Sequence, residues 1–547
     1  MVDFTTTQLI MAAGLIAIFS RFLFKNRDLD HIPSVAGSNM AFYLFSSIEH
    51  IIFGSTRVLR KGYKQYPNQA FKIPTFDGWL VILNGTHHVE DIRRASEAQM
   101  SAICSLDAYF RYRHTLGCPL LDNPFHVDVI RKDFTRNIEH RYEEIYEEVV
   151  NAYKELIPDT QGVHFEQLLS KYIHLLVPYN RLGTFEGIRS PDSSCLSDIL
   201  SILRWRAIIH SNILGSRLDI TGDSPEFRQI CLGAASEVFK GRLVRFFPTP
   251  LQGHASRLVT NMRALRSKMD QFLRPVVDLR LEQQKVLGSD WQKPNDLISW
   301  FMDAALATGQ DISATDLSSR ILFTSFAAIV TTAAVSSSVR WSEGPSPNSH
   351  LQAATAALYQ LCLNPRGVEA IREEVEKVIS EEGWNKAALG RMYYLDSFLR
   401  ETQRMHSAGT LSMGRTLLED FMFSDGVTLP KGTKIAVNLD ARHYDEKLYP
   451  DPDRFDGFRH VRLDSDSQPL AATPTLEYHT FGHGREACPG RFFAITQLKT
   501  MLAHLVLNYD FRMEGNTYPP TWKTEVNVIP SMFAQVLFRR RRAKSKA

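Results

Sequence analysis

Between Asp122 and Arg340 the apolar residues recur at helical spacing. In "YEEIYEEVVNAYKELI" they return every three or four positions with charged residues between them, the pattern of an amphipathic helix. The first hundred residues differ. There "FKIP" and "WLVILNG" are short apolar runs that read as strands among short helices. Beyond the helical region come one helix with "EEVEKVISEEG" and another with "YYLDSFLRETQRM". Short strands follow around "FMFSDGVTLPKGTKIAVNL", then an irregular stretch rich in Pro, Asp and Gly. A final helix lies within "HTFGHGREACPGRFFAITQLKTMLAHLVLNYDF". No internal repeat is visible. This order predicts a mainly α protein with small β-sheets, an α+β chain. The proline-broken connector "LVRFFPTPLQ", Leu243 to Gln252, reads as a cap on the core, with a dip into a membrane surface as the alternative.

The N-terminus carries a longer apolar run, Phe4 to Phe24. As a helix it would span about 31 Å, enough for a bilayer core. A cleaved signal peptide would need a basic residue before the run, and none occurs before Arg21. Asp3 precedes the run, and Arg21, Lys25 and Arg27 cluster at its end, so the positive-inside rule leaves the body in the cytosol. Pro33 in "HIPS" follows as a stiff exit from the membrane.

Composition changes this picture little. The chain has 547 residues, 44% hydrophobic and 22% charged, which suits a globular protein of one large domain or several. A net charge of +3 is too small to suggest nucleic acid. The basic run "RRRRAKSKA", Arg539 to Ala547, reads as a solvated terminus. The cysteines Cys104, Cys118, Cys195, Cys231, Cys362 and Cys488 include no C-x-x-C pair and suggest neither a zinc site nor a disulfide framework. Mostly buried free thiols in a reducing compartment are expected.

Cys488 stands apart. In "FGHGREACPGRFFA", Phe481 to Ala494, Gly482, Gly484 and Gly490 permit tight turns and close backbone approach to a flat partner. Pro489 opens an apolar helix, and a thiol at a helix N-terminus is stabilised as thiolate, a strong ligand for haem iron. The stretch resembles the haem-binding signature of the cytochrome P-450 family, haem-thiolate monooxygenases. Glu401 and Arg404 share a helix face at i and i+3, and Arg454 stands in "YPDPDRFDGFRH". The resemblance makes these three a charged cluster that holds the coil below the haem.

The resemblance implies the cytochrome P-450 fold, with residues 1–30 as membrane anchor and 31–547 as the monooxygenase domain. It implies haem b with its iron held axially by Cys488, Phe481 against the cofactor, and Arg415 on a haem propionate. His126, Arg131 and Arg136 are further propionate candidates, Arg131 foremost. Glu486 stands where relatives often carry a base and is expected to point to solvent. "SFAAIVTTAA", Ser325 to Ala334, is similar to the oxygen-binding helix. There Ala327 and Ala328 leave room for dioxygen, and Thr331 with Thr332 orients water for proton delivery. Val330 occupies the position of the usual acid and cannot relay a proton.

The implied activity is insertion of one oxygen atom into a hydrophobic small molecule, a terpenoid or another fungal secondary metabolite. Electrons would come from NADPH-cytochrome reductase, with cytochrome b5 as a second donor, at the endoplasmic reticulum membrane. A haem-thiolate isomerase, dehydratase or peroxide-using enzyme, and an inactive haem protein, are the alternatives.

The same helix carries an anomaly. "VSSSVRWSEGPSPNSHLQ", Val335 to Gln352, is turn-like, yet its removal joins "TTAA" to "AATAALYQLCLNP" as one continuous helical sequence. Every Val codon begins GT and Gln352 can be CAG, so the segment reads as a retained intron. A genuine loop bulging from the helix is the alternative.

Overall fold

The computed structural model describes residues 29–35, 46, 49, 54–75, 78–156, 225–309, 313–330, 349–462, 468–531, 534 and 536–541. The expected anchor lies outside them, as do Cys195, Thr331, Thr332 and residues 335–348 of the interrupted segment. Among the described residues no helix is long and apolar enough to cross a membrane.

Helices dominate. They are α1 Thr56–Gln65, α2 Ala102–Phe110, α3 Tyr142–Leu156, α4 Pro225–Gly241, α5 Met262–Leu287, α6 Leu297–Ala307, α7 Ala314–Val330, α8 Ser349–Leu363, α9 Pro365–Glu382, α10 Tyr393–Met405 and α11 Arg491–Asn508, with shorter turns between. The strands are β1 Ala70–Thr75, β2 Gly78–Leu83, β3 Met100–Ser101, β4 Leu411–Leu417, β5 Phe421–Met422, β6 Thr428–Leu429, β7 Lys434–Asn438, β8 Tyr509–Met513, β9 Trp522–Thr524, β10 Asn527–Ile529 and β11 Val536–Arg540. The largest sheet has the order β1-β2-β7-β4-β3, and two-stranded ribbons pair β5 with β6, β8 with β11 and β9 with β10. Strands β2 and β7 run parallel, whereas β1–β2, β4–β7 and β3–β4 are antiparallel.

Three large apolar cores, and a smaller one of Leu59, Phe71, Ile73 and Ile82, hold the described elements. Phe227 of α4, Leu273 of α5, Phe301 of α6 and Leu322 of α7 share the first. Val149 of α3, Leu358 of α8, Ile371 of α9, Phe398 of α10 and Leu502 of α11 share the second. The third lies against the main sheet, with Val81, Leu83, Ile435 and Val437. Helix α11 is apolar all round and almost wholly buried, as such a helix must be. Its Phe493 enters the first core and its Leu498 the second. The loop that opens α11 is thereby pinned at the junction of the two helical layers.

Two expectations need correction, and a third holds only for the side chains. In the basic tail Arg539 and Arg540 are exposed, but the backbone is not a loose end where it is described. Arg539 and Arg540 complete β11 against β8, and Arg541 donates to the Leu507 carbonyl at 3.2 Å, a cation on the last carbonyls of α11. The thiols are not mostly buried: of the described cysteines only Cys231 is buried, and Cys104 and Cys118 are exposed. The connector after α4 caps the core only in part. Val244, Arg245 and Gln252 are buried, but Pro248, Thr249, Pro250 and Leu251 are exposed.

Candidate active site

The loop from Phe481 to Gly490 is a compact backbone cage. The Cys488 N–H donates to the Phe481 carbonyl at 2.8 Å, Ala487 N–H to Gly484 at 3.2 Å, and Gly482 N–H to His479 at 2.9 Å. Gly482 and Gly484 have φ of +72° and +80°, which other residues reach only with strain. A Cβ on Gly484 would also stand 2.8 Å from the Arg93 carbonyl. Gly490 is different. Its φ is −88°, and a Cβ there would meet nothing within 4 Å, so no protein contact demands its glycine. Phe481 is partly buried against the second core.

Gly490 is the N-cap of α11, so Cys488 sits at the positive end of that helix. Burial pushes its thiol up, opposed by the Gly490 and Arg491 N–H groups and the Arg491 guanidinium. A metal bound there would take the thiolate form outright.

The loop is tied to β4 at two points. Ser412 Oγ and His479 Nδ1 lie 2.7 Å apart, and Arg415 Nε lies 2.7 Å from a Glu486 oxygen. A bulge sets this up. Ser412 faces Val437 and Arg415 faces Ile435, so Met413 and Gly414 together oppose one residue of β7. Such an extra residue re-aims the side chains beside it, and Met413 takes φ of +51°. Arg415 is buried, and its Nη1 donates to the Gly414 carbonyl at 2.9 Å.

Glu486 does not point to solvent. It turns inward because Arg415 and the Ala102 N–H, 2.8 Å away, offer it a positive charge and a helix end. Arg131 pairs with Asp128 at 2.7 Å and lies near enough to influence Glu486 and Arg491. It sits in an unusually wide helical turn, Ile130–Phe134, of a kind frequent at functional sites. Arg136 is exposed. His126 is buried, accepts from Arg320 of α7 at 3.0 Å, and is held neutral by burial and by that cation, down to about 3.

The charged cluster lies under the coil and is fully enclosed. Arg404 donates to both Glu401 oxygens at 2.8 and 2.9 Å, and reaches out to the carbonyls of His443 and Pro452. The third member is Arg459, not Arg454. Arg459 Nε donates to Glu401 at 2.9 Å, while Arg454 is exposed and offers only its carbonyl to Arg459. Both arginines lie in "YPDPDRFDGFRH", and nothing local in that stretch distinguishes Arg459 from Arg454. His460 joins at 3.3 Å and the Asp456 N–H at 3.3 Å. Sequence reasoning had no way to place either.

Across the first core, α7 buries Leu317 to Leu322, Ser325 and Phe326, whereas Ala327 is exposed and Ala328 half-buried. Small residues thus leave accessible space on that helix. Its threonines, Thr331 and Thr332, lie outside the described residues. A thiol on a helix end, a glycine whose absent side chain would meet only open space, and a buried guanidinium beside them fit a flat, dianionic, iron-bearing cofactor.

Comparison with known proteins agrees. Residues 350–538 match the family described as Cytochrome P450. The chain is 30% identical to cytochrome P450 monooxygenase 151 of Postia placenta, covering 97% of each chain. It is 30% identical to CYP512U6 of Ganoderma lucidum, covering 98% of this chain and 97% of that one. It is 29% identical to paxP of Penicillium paxilli, covering 98% and 96%. Among solved structures, retinoic acid-bound cyanobacterial CYP120A1 superposes with a TM-score of 0.59 over 91% of this chain and 96% of that one, at 17% identity, a likeness of fold alone. Identity that runs the length of the chain, and a fold that seats the cysteine loop on a buried helix, make this protein a member of the cytochrome P450 family, monooxygenases with a haem-thiolate cofactor.

Proposed function

We propose that this chain is a membrane-anchored monooxygenase of fungal secondary metabolism, acting on a terpenoid or similar hydrophobic molecule. Its electrons come from NADPH through a membrane-bound reductase, with cytochrome b5 as a second donor. The observation that carries this is Cys488 at the N-terminal end of α11, inside a glycine cage tied to β4. Bound haem supplies the activation of oxygen; the protein binds, orients and excludes water. Cys488 would hold the iron, Gly490 would let the flat cofactor approach, and Arg415 with Arg131 would meet its carboxylates. Ala327 and Ala328 would leave room for dioxygen, and Thr331 with Thr332 would hold the water that delivers protons. The anchor, Phe4 to Phe24, would place the body on the cytosolic face of the endoplasmic reticulum. All the relatives named above are fungal, which supports the substrate class.

Val335 to Gln352 is read as a retained intron. Two observations bear on it: the family match begins at residue 350, and α8 begins at Ser349, so the last four residues of the segment are helical. The test is a ferrous–carbon monoxide difference spectrum on microsomes carrying the full chain or the chain lacking this segment. A thiolate-type red-shifted band is expected in the shortened form. Its absence from both removes Cys488 as ligand, and its presence in both makes the segment a tolerated loop. One observation favours a second reading, a haem-thiolate isomerase or peroxide user: Val330 replaces the relay acid. Turnover without NADPH and reductase would establish that reading.

A further inference from the structure

Helix α2 packs against β4 and the first core without fully burying any residue. Its sequence, "AICSLDAYF", is mostly apolar, yet none of its residues is buried. Few buried contacts leave an element on the low-stability side of a fold, so its ends matter. At the N-terminal end, Glu486 accepts the Ala102 N–H at 2.8 Å, beside the Ser101 cap on Cys104. At the C-terminal end, Tyr109 donates to buried Glu525 at 2.7 Å, and the Phe110 ring meets Phe326 of α7 at 5.5 Å. The helix therefore spans from the cysteine loop to the oxygen-side helix and is held at each end by a carboxylate.

The Glu486 carboxylate has a second task. It lies 2.7 Å from Arg415 Nε. Arg415 Nη1 gives one N–H to the Gly414 carbonyl, and Nη2 meets no partner among the described residues. That is the donor left for a carboxylate of the haem. We propose that Glu486 is a positioning residue that links α2 to Arg415, so that one side chain sets both the seat of that helix and the charge facing the haem carboxylate. The inference rests on the haem-thiolate reading above. A molecule that displaces α2 pulls on Glu486, and through it on Arg415. The negative charge two residues before Cys488 also disfavours the reduced iron relative to a neutral residue there.

Two variants separate the tasks. Glu486→Gln keeps an oxygen for the Ala102 N–H but removes the charge, whereas Glu486→Ala removes both. On haem-loaded protein the readouts are the midpoint potential, the rate of haem transfer to apomyoglobin and deuterium uptake at the α2 amides. Gln should raise the potential and slow haem transfer by about fivefold, the share of one charge-assisted bond returned to the haem. It should leave α2 exchange unchanged. Ala should raise the potential equally and speed α2 exchange by roughly tenfold, the loss of a helix cap. If both variants lower the melting temperature but leave potential and haem transfer at wild-type values, Glu486 is only a structural cap and the proposal is overturned. Wild-type protein that takes up no thiolate-ligated haem overturns the functional reading instead, and this inference with it.

Discussion

Glu401 and Glu486 are both enclosed carboxylates facing an arginine, and they are held in opposite ways. Burial would raise Glu401, but hydrogen bonds from Arg404, His460 and Arg459 outweigh it and hold the carboxyl down at about 2. Burial raises Glu486, and with the nearby Glu97 it outweighs Arg415, the Ala102 N–H and Arg131. The donors aimed at a buried carboxylate, set against its burial, decide the direction of its shift. The saturated site is scaffold: the side-chain bonds of Glu401 and Arg404 end on each other, on the coil and on the carbonyl of His443. The unsaturated site lies beside Cys488, where a further ligand can complete it.

The largest effect should come from breaking the saturated site. Glu401→Ala would leave Arg404 and Arg459 enclosed without a counter-charge, at a cost of about 3–5 kcal/mol. Expression yield and thermal melting would show it, and a melt close to wild type would mean the cluster is not the scaffold described.

Acid should reach the same site next. Glu401 has a depressed carboxyl, so its contribution is complete above its ordinary value of 4.5 and is lost as pH falls from there toward about 2. The shift corresponds to about 3 kcal/mol. Denaturant titrations across that window should show Glu401→Gln with a flatter pH dependence than wild type; equal slopes would refute it.

Arg459→Met should cost about 2 kcal/mol, the value of charge-assisted bonds to Glu401 and to coil carbonyls. Arg454→Met should stay within about 0.5 kcal/mol, as an exposed residue does. Equal melting shifts would return Arg454 to the cluster.

Two glycines of the cysteine loop should differ in kind, Gly484 in stability and Gly490 in haem uptake. Gly484→Ala meets the Arg93 carbonyl in a left-handed conformation, at about 1–3 kcal/mol of strain. Gly490→Ala should leave the haem-free fold within about 0.5 kcal/mol and lower haem incorporation instead. Haem content against melting temperature for the two variants checks this; parallel losses would make Gly490 structural.

Some of this was legible in the sequence because it is local. The spacing of Phe481, the glycines and Cys488 specifies a cage and a helix end whatever surrounds them. The i, i+3 pair Glu401 and Arg404 must share a face, and the apolar register of α11 must be buried. The exchange of Arg454 for Arg459 was not legible. Both arginines follow a turn in the same coil, and only the path of that coil over α10 decides which reaches Glu401. Nor was the inward turn of Glu486, since its partners, Arg415 and Ala102, are distant in the chain and meet it through a β-bulge and a helix end. The sequence by itself determined the cysteine loop, its cage and the helical frame, because backbone periodicity and φ preferences act over a few residues. The tertiary structure alone decided which charges are saturated, because long-range packing chooses the donors each buried carboxylate meets.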